Sequence, residues 1–189
     1  MDDADVLRAI LAAYKVVMEA SWPGLHPAMA ERASRWPSAS QATLAAELAD
    51  YLQTSAQAGQ HVRVFWKLGT GFKFGGCNDL FARDAGMNRP EELVGTDDFD
   101  RRLPWGHQAA KYRQDDEAVF KSGTAKLDIL ERQQSTTGIT WVRAGKTPIR
   151  KASGEVIGIF GMYELLDAET GRKAFAARNL KRRSGGGAA

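Results

Sequence analysis

Residues 77–82 read Cys-Asn-Asp-Leu-Phe-Ala and mark a change from strand-like to helical sequence. A hairpin signature precedes them, because side chains alternate in character on both sides of a Gly-Thr-Gly turn at 69–71. Asn78 is a residue type that begins helices, since its side chain accepts a hydrogen bond from a free backbone amide. Gly86 is suited to end that helix, because glycine adopts the left-handed backbone without strain. The stretch therefore predicts a hairpin that runs directly into a short helix over 79–85.

Downstream of this helix, further elements follow in an order that indicates a fold class. A helical turn that begins with proline and a long amphipathic helix precede three strand-like segments. These elements are expected at 90–93, 107–121, 126–132, 139–148 and 156–164. Two strands, a helical block and a three-strand meander favour an antiparallel sheet with its helices on one face. The expected fold class is therefore α+β, with a five-stranded antiparallel sheet.

Residues 1–60 predict a helical extension, because apolar residues recur three or four positions apart in two segments. Neither helix can bury its apolar stripe alone, so each must pack on the other, on the downstream domain or on a second copy of the chain. Dimerisation through this region and simple capping of the domain are both open at this point. The predicted organisation is the extension at 1–60, one domain at 61–167 and a basic flexible tail at 168–189.

Six groups of residues, in sequence order, carry a recognisable pattern. They are Phe65-Trp66-Lys67, Cys77 to Ala82, Ala85-Gly86, Glu91 to Asp97, Leu103-Pro104-Trp105 with Tyr112-Arg113 and Asp115-Asp116, and Lys146 to Ile149 with Gly154 to Ile159. Together they resemble the PAS domain, in the subtype common in bacterial histidine kinases and cyclic-dinucleotide enzymes. Most of these positions are turns, caps and core residues, so the resemblance identifies a scaffold and names no ligand.

The resemblance implies a sensory role. In PAS domains the sheet and its helices enclose a pocket that holds haem, a flavin, a small organic acid or nothing, and signals leave through flanking helices, often in a dimer. We therefore expect a bacterial signalling module that binds a small ligand or cofactor in an apolar pocket. A ligand-free dimerisation or protein-interaction module is the alternative. A homodimer, and an output partner such as a kinase or cyclase in two-component signalling, are implied in the same way. The usual family ending is replaced here by Leu165-Leu166-Asp167.

Nine residues are candidates for the pocket, namely Trp66, Phe74, Asn78, Phe81, Trp105, His107, Tyr112, Trp141 and Ile159. The aromatic ones offer stacking surfaces to a flavin, although aromatics on strands more often form core. His107 is the candidate axial ligand for haem iron, with a solvent-facing histidine near a helix start as the competing interpretation. Cys77 is interpreted as a small buried hydrophobe, not as a flavin-reactive thiol. The cofactor itself is left unassigned, with haem and flavin as the candidates.

Composition and charge limit the classes of function and partner that this chain can have. The formal net charge of +3 comes mostly from residues 168–189, where six basic residues face one acidic residue, so no basic binding face and no nucleic-acid partner are expected. No nucleophile elbow, phosphate loop or zinc-protease motif occurs, which predicts a protein without enzymatic activity. Apolar runs are too short to span a bilayer, and the single cysteine allows no internal disulfide. We therefore expect a cytoplasmic protein without a membrane partner.

Overall fold

The structure, a computed structural model, describes residues 2–57 and 62–184. Six α-helices and five β-strands occur in these ranges, together with short 3-10 turns at Trp36–Ser38, Pro90–Leu93 and Gly106–Gln108. In chain order the elements are α1 (Asp3–Ser21), α2 (Met29–Ala33), α3 (Gln41–Gln57), β1 (Val62–Leu68), β2 (Lys73–Cys77), α4 (Asp79–Asp84), α5 (Ala109–Ser122), β3 (Lys126–Ser135), β4 (Gly138–Arg150), β5 (Val156–Leu166) and α6 (Ala168–Ser184). The predicted boundary at 60/61 lies outside the described residues.

The five strands form one antiparallel sheet in the order β2-β1-β5-β4-β3. The expected α+β class and the five-stranded antiparallel sheet are therefore confirmed. Side chains on β1 alternate between two buried faces, which is the period of a strand covered on both sides. We call the side that carries Phe65 and Lys67 the inner face, and the side that carries Val64 and Trp66 the outer face.

The N-terminal helices cover the outer face. Tyr14 of α1 contacts Phe160 of β5 edge-on, with 5.5 Å between ring centroids, and stacks on Tyr51 of α3 at 5.3 Å. Tyr14, Phe160 and Val64 are all completely buried in the same apolar cluster. Of the arrangements that the sequence left open, the helices thus pack on each other and on the downstream sheet.

Helices α4 and α5 cover the inner face, and Asn78 explains how α4 is placed. Its Oδ1 accepts hydrogen bonds from the amide of Phe81 in α4 and from the amide of Val64 in β1, both at 3.1 Å. Its Nδ2 donates to the carbonyl of Val62 at 2.9 Å. The predicted N-cap therefore also ties α4 to β1. Gly86 follows α4 with φ of +78°, as its predicted capping role requires.

The C-terminal segment differs from the sequence expectation, because Ala168–Ser184 forms a helix where a flexible tail was predicted. Asp167 caps the helix by accepting hydrogen bonds from the amides of Glu169 and Thr170, both at 2.9 Å. Gly171 lies against Trp141 of β4 so closely that an added Cβ would come within 2.2 Å of the indole. The end cap and this close approach hold the first turns of α6 on the sheet. Residues 185–189 of the expected tail lie outside the described residues.

Within residues 2–57 and 62–184, no helix is both long and apolar enough to cross a membrane. The cytoplasmic location stays a prediction.

Candidate functional site

A small cavity of about 40 Å³ lies on the inner face of the sheet, beneath α4, α5 and the loop at 94–108. All five strands contribute residues to its lining. Its lining residues are Phe65, Lys67, Phe74, Phe81, Asp98, Trp105, Tyr112, Glu131, Gln133, Ala144, Lys146 and Tyr163.

Aromatic rings form one wall of the cavity. Phe81 of α4 is the centre of this group and stacks on Phe65 with 4.8 Å between ring centroids. Phe74 and Trp105 lie 5.6 Å and 5.5 Å from Phe81 in tilted arrangements. Such a wall offers flat apolar surfaces to a planar or compact ligand.

A buried charge cluster lies beside these rings, with Lys67 Nζ 4.8 Å from the centroid of the Phe74 ring. We define the lysine–aspartate cluster as Lys67, Lys146, Asp98 and Asp116. Lys67 Nζ lies 2.5 Å from Asp98 Oδ2 and 2.6 Å from Asp116 Oδ2, and Lys146 Nζ lies 2.6 Å from Asp116 Oδ1. None of the four side chains is more than 8% exposed. Two ammonium groups are thus held by two carboxylates at a site that has almost no water contact.

The charged forms of this cluster are mutually stabilised. Burial alone would raise the pKa of Asp116, but Lys146 and Lys67 outweigh it and hold that pKa below its ordinary value. Burial would likewise lower the pKa of Lys146, but Asp116 outweighs it and raises that pKa. Both groups therefore stay ionised at neutral pH.

A second polar group of the cavity is built around Tyr163. Its hydroxyl donates to Asp84 Oδ2 at 2.9 Å and accepts from Gln133 Nε2 at 2.9 Å. Arg63 Nε pairs with the same Asp84 carboxylate oxygen at 2.8 Å. Burial, and next the charge of Asp84, raises the pKa of Tyr163 well above its ordinary value. Tyr163 is therefore a neutral hydrogen-bonding group that faces the cavity.

Trp105 supplies a further polar atom. Its side chain lines the cavity and is 2% exposed, and its indole Nε1 donates to no acceptor among the described residues. A buried donor without an acceptor is costly, so native structures usually satisfy such groups. The indole N–H is therefore available to an acceptor on a bound molecule.

The structure brings four of the nine predicted site residues together at the cavity, namely Phe74, Phe81, Trp105 and Tyr112. Ile159 is fully buried in the inner core but is not part of the lining. The remaining four lie elsewhere. Trp66 belongs to the outer core, Asn78 acts as the cap of α4, Trp141 lies against Phe175 of α6, and His107 is exposed in the turn before α5.

Sequence reasoning missed the lysine–aspartate cluster and the Tyr163 group. A signal for Lys67 was present, because the two-residue period of β1 places it on the same face as Phe65. No comparable signal existed for Asp116, which lies 49 residues further along the chain than Lys67. Its neighbour Asp115 pairs with the exposed Lys126 instead.

The cavity does not fit haem or flavin. Cofactor pockets usually measure about 300–1,000 Å³, whereas this cavity measures about 40 Å³. His107 is exposed and lies outside the lining. Burial, and next the charges of Asp79 and Glu91, raises the pKa of Cys77 to about 12, which opposes thiolate chemistry. No cluster of three or more His, Cys, Asp or Glu side chains suited to a metal ion occurs in the part of the chain that the structure describes.

The strand order, the antiparallel pairing and the helices over the inner face define a PAS fold, so the resemblance found in the sequence is confirmed at the level of the fold. The phage VqmA–DPO complex is similar to this chain with 22% identity and a TM-score of 0.52, over 69% of this chain and 60% of VqmA. The Vibrio cholerae VqmA–ligand–DNA complex matches with 24% identity and a TM-score of 0.49, over 60% and 52%. A Colwellia psychrerythraea PAS domain matches with 14% identity and a TM-score of 0.46, over 61% and 96%.

The chain spans between about half and three fifths of the length of the VqmA chains that it matches. No protein-family model matches the chain, and no curated protein matches it either.

These comparisons correct one expectation about partners. Nucleic acid was excluded on the grounds of charge, but VqmA, among the similar structures, has been solved as a complex with ligand and DNA. Charge counting addresses only phosphate contacts made by this chain, and it does not address what a longer receptor with this fold binds. The exclusion of nucleic acid is therefore wrong. The homodimer stays a prediction.

Proposed function

We propose that this chain is a sensory PAS domain that binds a small ligand in the inner-face cavity and transmits occupancy to its surrounding helices. The observation that supports this proposal most directly is the buried indole N–H of Trp105, without an acceptor, at a cavity that also carries a buried charge cluster. Binding sites commonly combine apolar walls with a few convergent polar groups, and this cavity has both.

Three separate parts of the chain meet at the cavity, which gives a ligand the means to alter their packing. The loop at 94–108 contributes Asp98 and Trp105, α5 contributes Tyr112, and β1 contributes Lys67. A ligand that binds one arrangement of these parts more tightly than another shifts the population toward it. In this proposal the loop and α5 therefore move when the cavity fills.

In this proposal the signal passes from the cavity to the outer face of the sheet along β1. Lys67 faces the cavity, and its neighbour Trp66 packs in the core beneath the N-terminal helices. A small displacement of β1 would change packing on both faces, because close-packed cores transmit strain. The proposal also makes the chain a binding module that releases its ligand chemically unchanged.

Ligand binding is tested on the purified full chain by native mass spectrometry and by thermal shift with a small-molecule library. DPO, which the phage VqmA complex contains, is included as one probe. We expect a bound small mass, or a probe that raises the melting temperature, and a visible spectrum without haem or flavin bands. Trp105→Phe should weaken binding by about tenfold, the value of one lost hydrogen bond to a buried donor. Trp141→Phe, on the opposite side of the sheet, is the matched control and should bind as the wild type does.

A protein that carries no bound mass and responds to no probe contradicts the proposal. In that case the ligand-free interaction module, the alternative from the sequence, takes its place. Equal binding by the Trp105→Phe and wild-type proteins would remove the indole from the site but leave the cavity in place.

A further inference from the structure

We infer that the ligand carries no net charge, and that Asp116 is the specificity-determining residue that enforces this. The inference rests on the proposed function, because it concerns the ligand of the same cavity. Asp116 is not part of the cavity lining, so its role is to position and neutralise the two lysines that are.

The positive and negative charges around the cavity balance each other. Lys67 and Lys146 contribute two positive charges to the lining, and Asp98 and Asp116 oppose them. Glu131 also lines the cavity and pairs with Lys111 of α5. The sum is three positive against three negative charges, so the walls are neutral as a whole.

An anionic ligand would disturb the charge balance around Asp116 and the two lysines. Asp116 is completely buried and holds both lysines, one with each carboxylate oxygen. A carboxylate ligand that accepts a hydrogen bond from either ammonium group would add one negative charge to a buried site whose lysines are already balanced by aspartates. Unpaired buried charge is strongly unfavourable, so a neutral molecule of the same shape binds more tightly.

A cationic ligand would meet only carboxylates that already pair with a lysine. Asp98 is only 2% exposed and is already bound to Lys67, and the Glu131 side chain is 13% exposed and paired with Lys111. No carboxylate in the lining is therefore free of a lysine partner. The neutral polar groups of the lining are the Trp105 indole N–H, which has no acceptor among the described residues, and the Gln133 amide and Tyr163 hydroxyl, which are hydrogen-bonded to each other. A compact uncharged molecule with a hydrogen-bond acceptor meets all of these conditions.

The inference is tested with probes that share one shape and differ in charge: acetate, acetamide and acetamidinium. Their size suits a small cavity, and benzoate, benzamide and benzamidinium repeat the test with a ring. Dissociation constants are measured by titration of the labelled full chain, followed by NMR shifts of the Trp105 indole N–H. For the wild type we expect acetamide to bind at least tenfold more tightly than acetate or acetamidinium.

Variants that change the charge count separate charge selection from a merely structural role. Asp116→Asn leaves one excess positive charge and should reverse the preference toward acetate. Lys146→Met leaves one excess negative charge and should favour acetamidinium. The double variant Asp116→Asn/Lys146→Met restores balance and should again prefer acetamide. Asp115→Asn, next to Asp116 but paired with the exposed Lys126, is the control that keeps the wild-type order.

Each outcome decides the question. A wild type that prefers acetamide by less than tenfold, or variants whose preference does not follow their charge, overturn the inference while the proposed function stands. Failure of every probe to bind the wild type removes the proposed cavity site and the inference with it. If Asp116→Asn does not fold by circular dichroism, Lys146→Met and the double variant replace it in the test, because the first should prefer acetamidinium and the second acetamide.

Discussion

Lys67 and Asp116 join β1 to α5 through an ion pair with 2.6 Å between Nζ and Oδ2, and their side chains are 2% and 0% exposed. The same carboxylate holds Lys146 of β4 with its other oxygen, also at 2.6 Å. Asp116 thus connects the helix to two strands that are separated in the sheet by β5. Because all three groups are buried, each needs the others in order to remain charged.

Loss of the Asp116 charge should strongly destabilise the fold. Asp116→Asn leaves Lys67 with Asp98 and removes the carboxylate that pairs with Lys146. Removing one partner of a buried pair typically costs about 3–5 kcal/mol. The free energy of unfolding is measured with urea. Asp115→Asn breaks a pair whose lysine is 46% exposed, so it should cost no more than about 1 kcal/mol. An equal decrease in the free energy of unfolding of the two variants would show that the buried cluster stabilises the fold no more than the exposed pair does.

Gly161 is packed too closely against Phe65 to accept a side chain without a shift. A Cβ added there would come within 2.3 Å of the Phe65 ring, which forms part of the cavity wall. Gly161→Ala should therefore displace that ring, lower stability by about 1–3 kcal/mol and weaken ligand binding. Gly106 has open space around its Cβ position, so Gly106→Ala is the control and should change neither quantity. An unaltered urea midpoint for Gly161→Ala would contradict the prediction.

The sequence predicted the scaffold better than the site, and Asn78 shows why. Helix caps and turns depend on neighbours within a few residues. The sequence therefore predicts the caps at Asn78 and Gly86 and the alternation of side chains along the strands. Phe74 and Phe81 were also found, because large aromatics in a strand and a short helix are commonly buried.

Long-range pairing accounts for what was missed. Lys67 has the appearance of an ordinary surface residue until Asp98 and Asp116 are placed beside it, 31 and 49 residues away. Helix α6 was missed for a related reason. Its basic composition indicates solvent exposure, whereas its docking depends on the approach of Gly171 to Trp141 across the fold. Partners distant in sequence leave no local pattern.

His26 is the basis for a pH-dependent prediction. It is half-buried and meets the rings of Tyr14 and Tyr51 edge-on, at centroid distances of 6.4 Å and 4.4 Å. Its Nε2 has no hydrogen-bond partner within the described residues. Burial lowers the pKa of His26 below its ordinary value of 6.5, and nearby charges modify this effect without reversing it. The nearby charges are those of Asp50, Arg32 and Glu47.

The sign of the pH effect follows from that shift. Because the unfolded chain binds a proton more readily than the folded one, stability is highest above pH 6.5 and falls as the pH drops below it. His26→Phe should flatten this slope between about pH 5 and pH 7 in urea unfolding. His107→Gln alters an exposed side chain and should preserve the slope. A slope that survives in the His26→Phe protein would assign the effect to other groups.

Cys77 should be unreactive in the folded protein. Its pKa is raised from 9.0 to about 12 by burial and, to a lesser extent, by Asp79 and Glu91. Since the thiolate is the nucleophile, this shift alone slows thiol labelling on the order of a thousandfold near neutral pH. The test follows the rate of DTNB reaction in buffer and in urea, and the signal is unambiguous because the chain has one cysteine. Similar rates in both solvents would place the thiol at the surface.

Removal of the N-terminal helices should unfold or aggregate the domain. Helices α1 and α3 cover an outer core to which the sheet contributes Val62, Val64, Trp66, Ile149, Phe160 and Met162. Exposing side chains of this size costs about 1.5–3 kcal/mol each, so losing several together exceeds the stability of an ordinary domain. A chain without residues 1–57 should therefore lose its near-ultraviolet circular dichroism and aggregate in light scattering.

The matched comparison removes residues 168–189, whose helix contacts the sheet mainly through the exposed Phe175 and half-buried Trp141. This chain should stay folded, with at most a modest fall in melting temperature. A well-folded domain without residues 1–57 would mean that the outer face tolerates water or finds another cover. The N-terminal helices would then be an appendage, whereas their packing on Phe160 and Met162 makes them part of the folding unit.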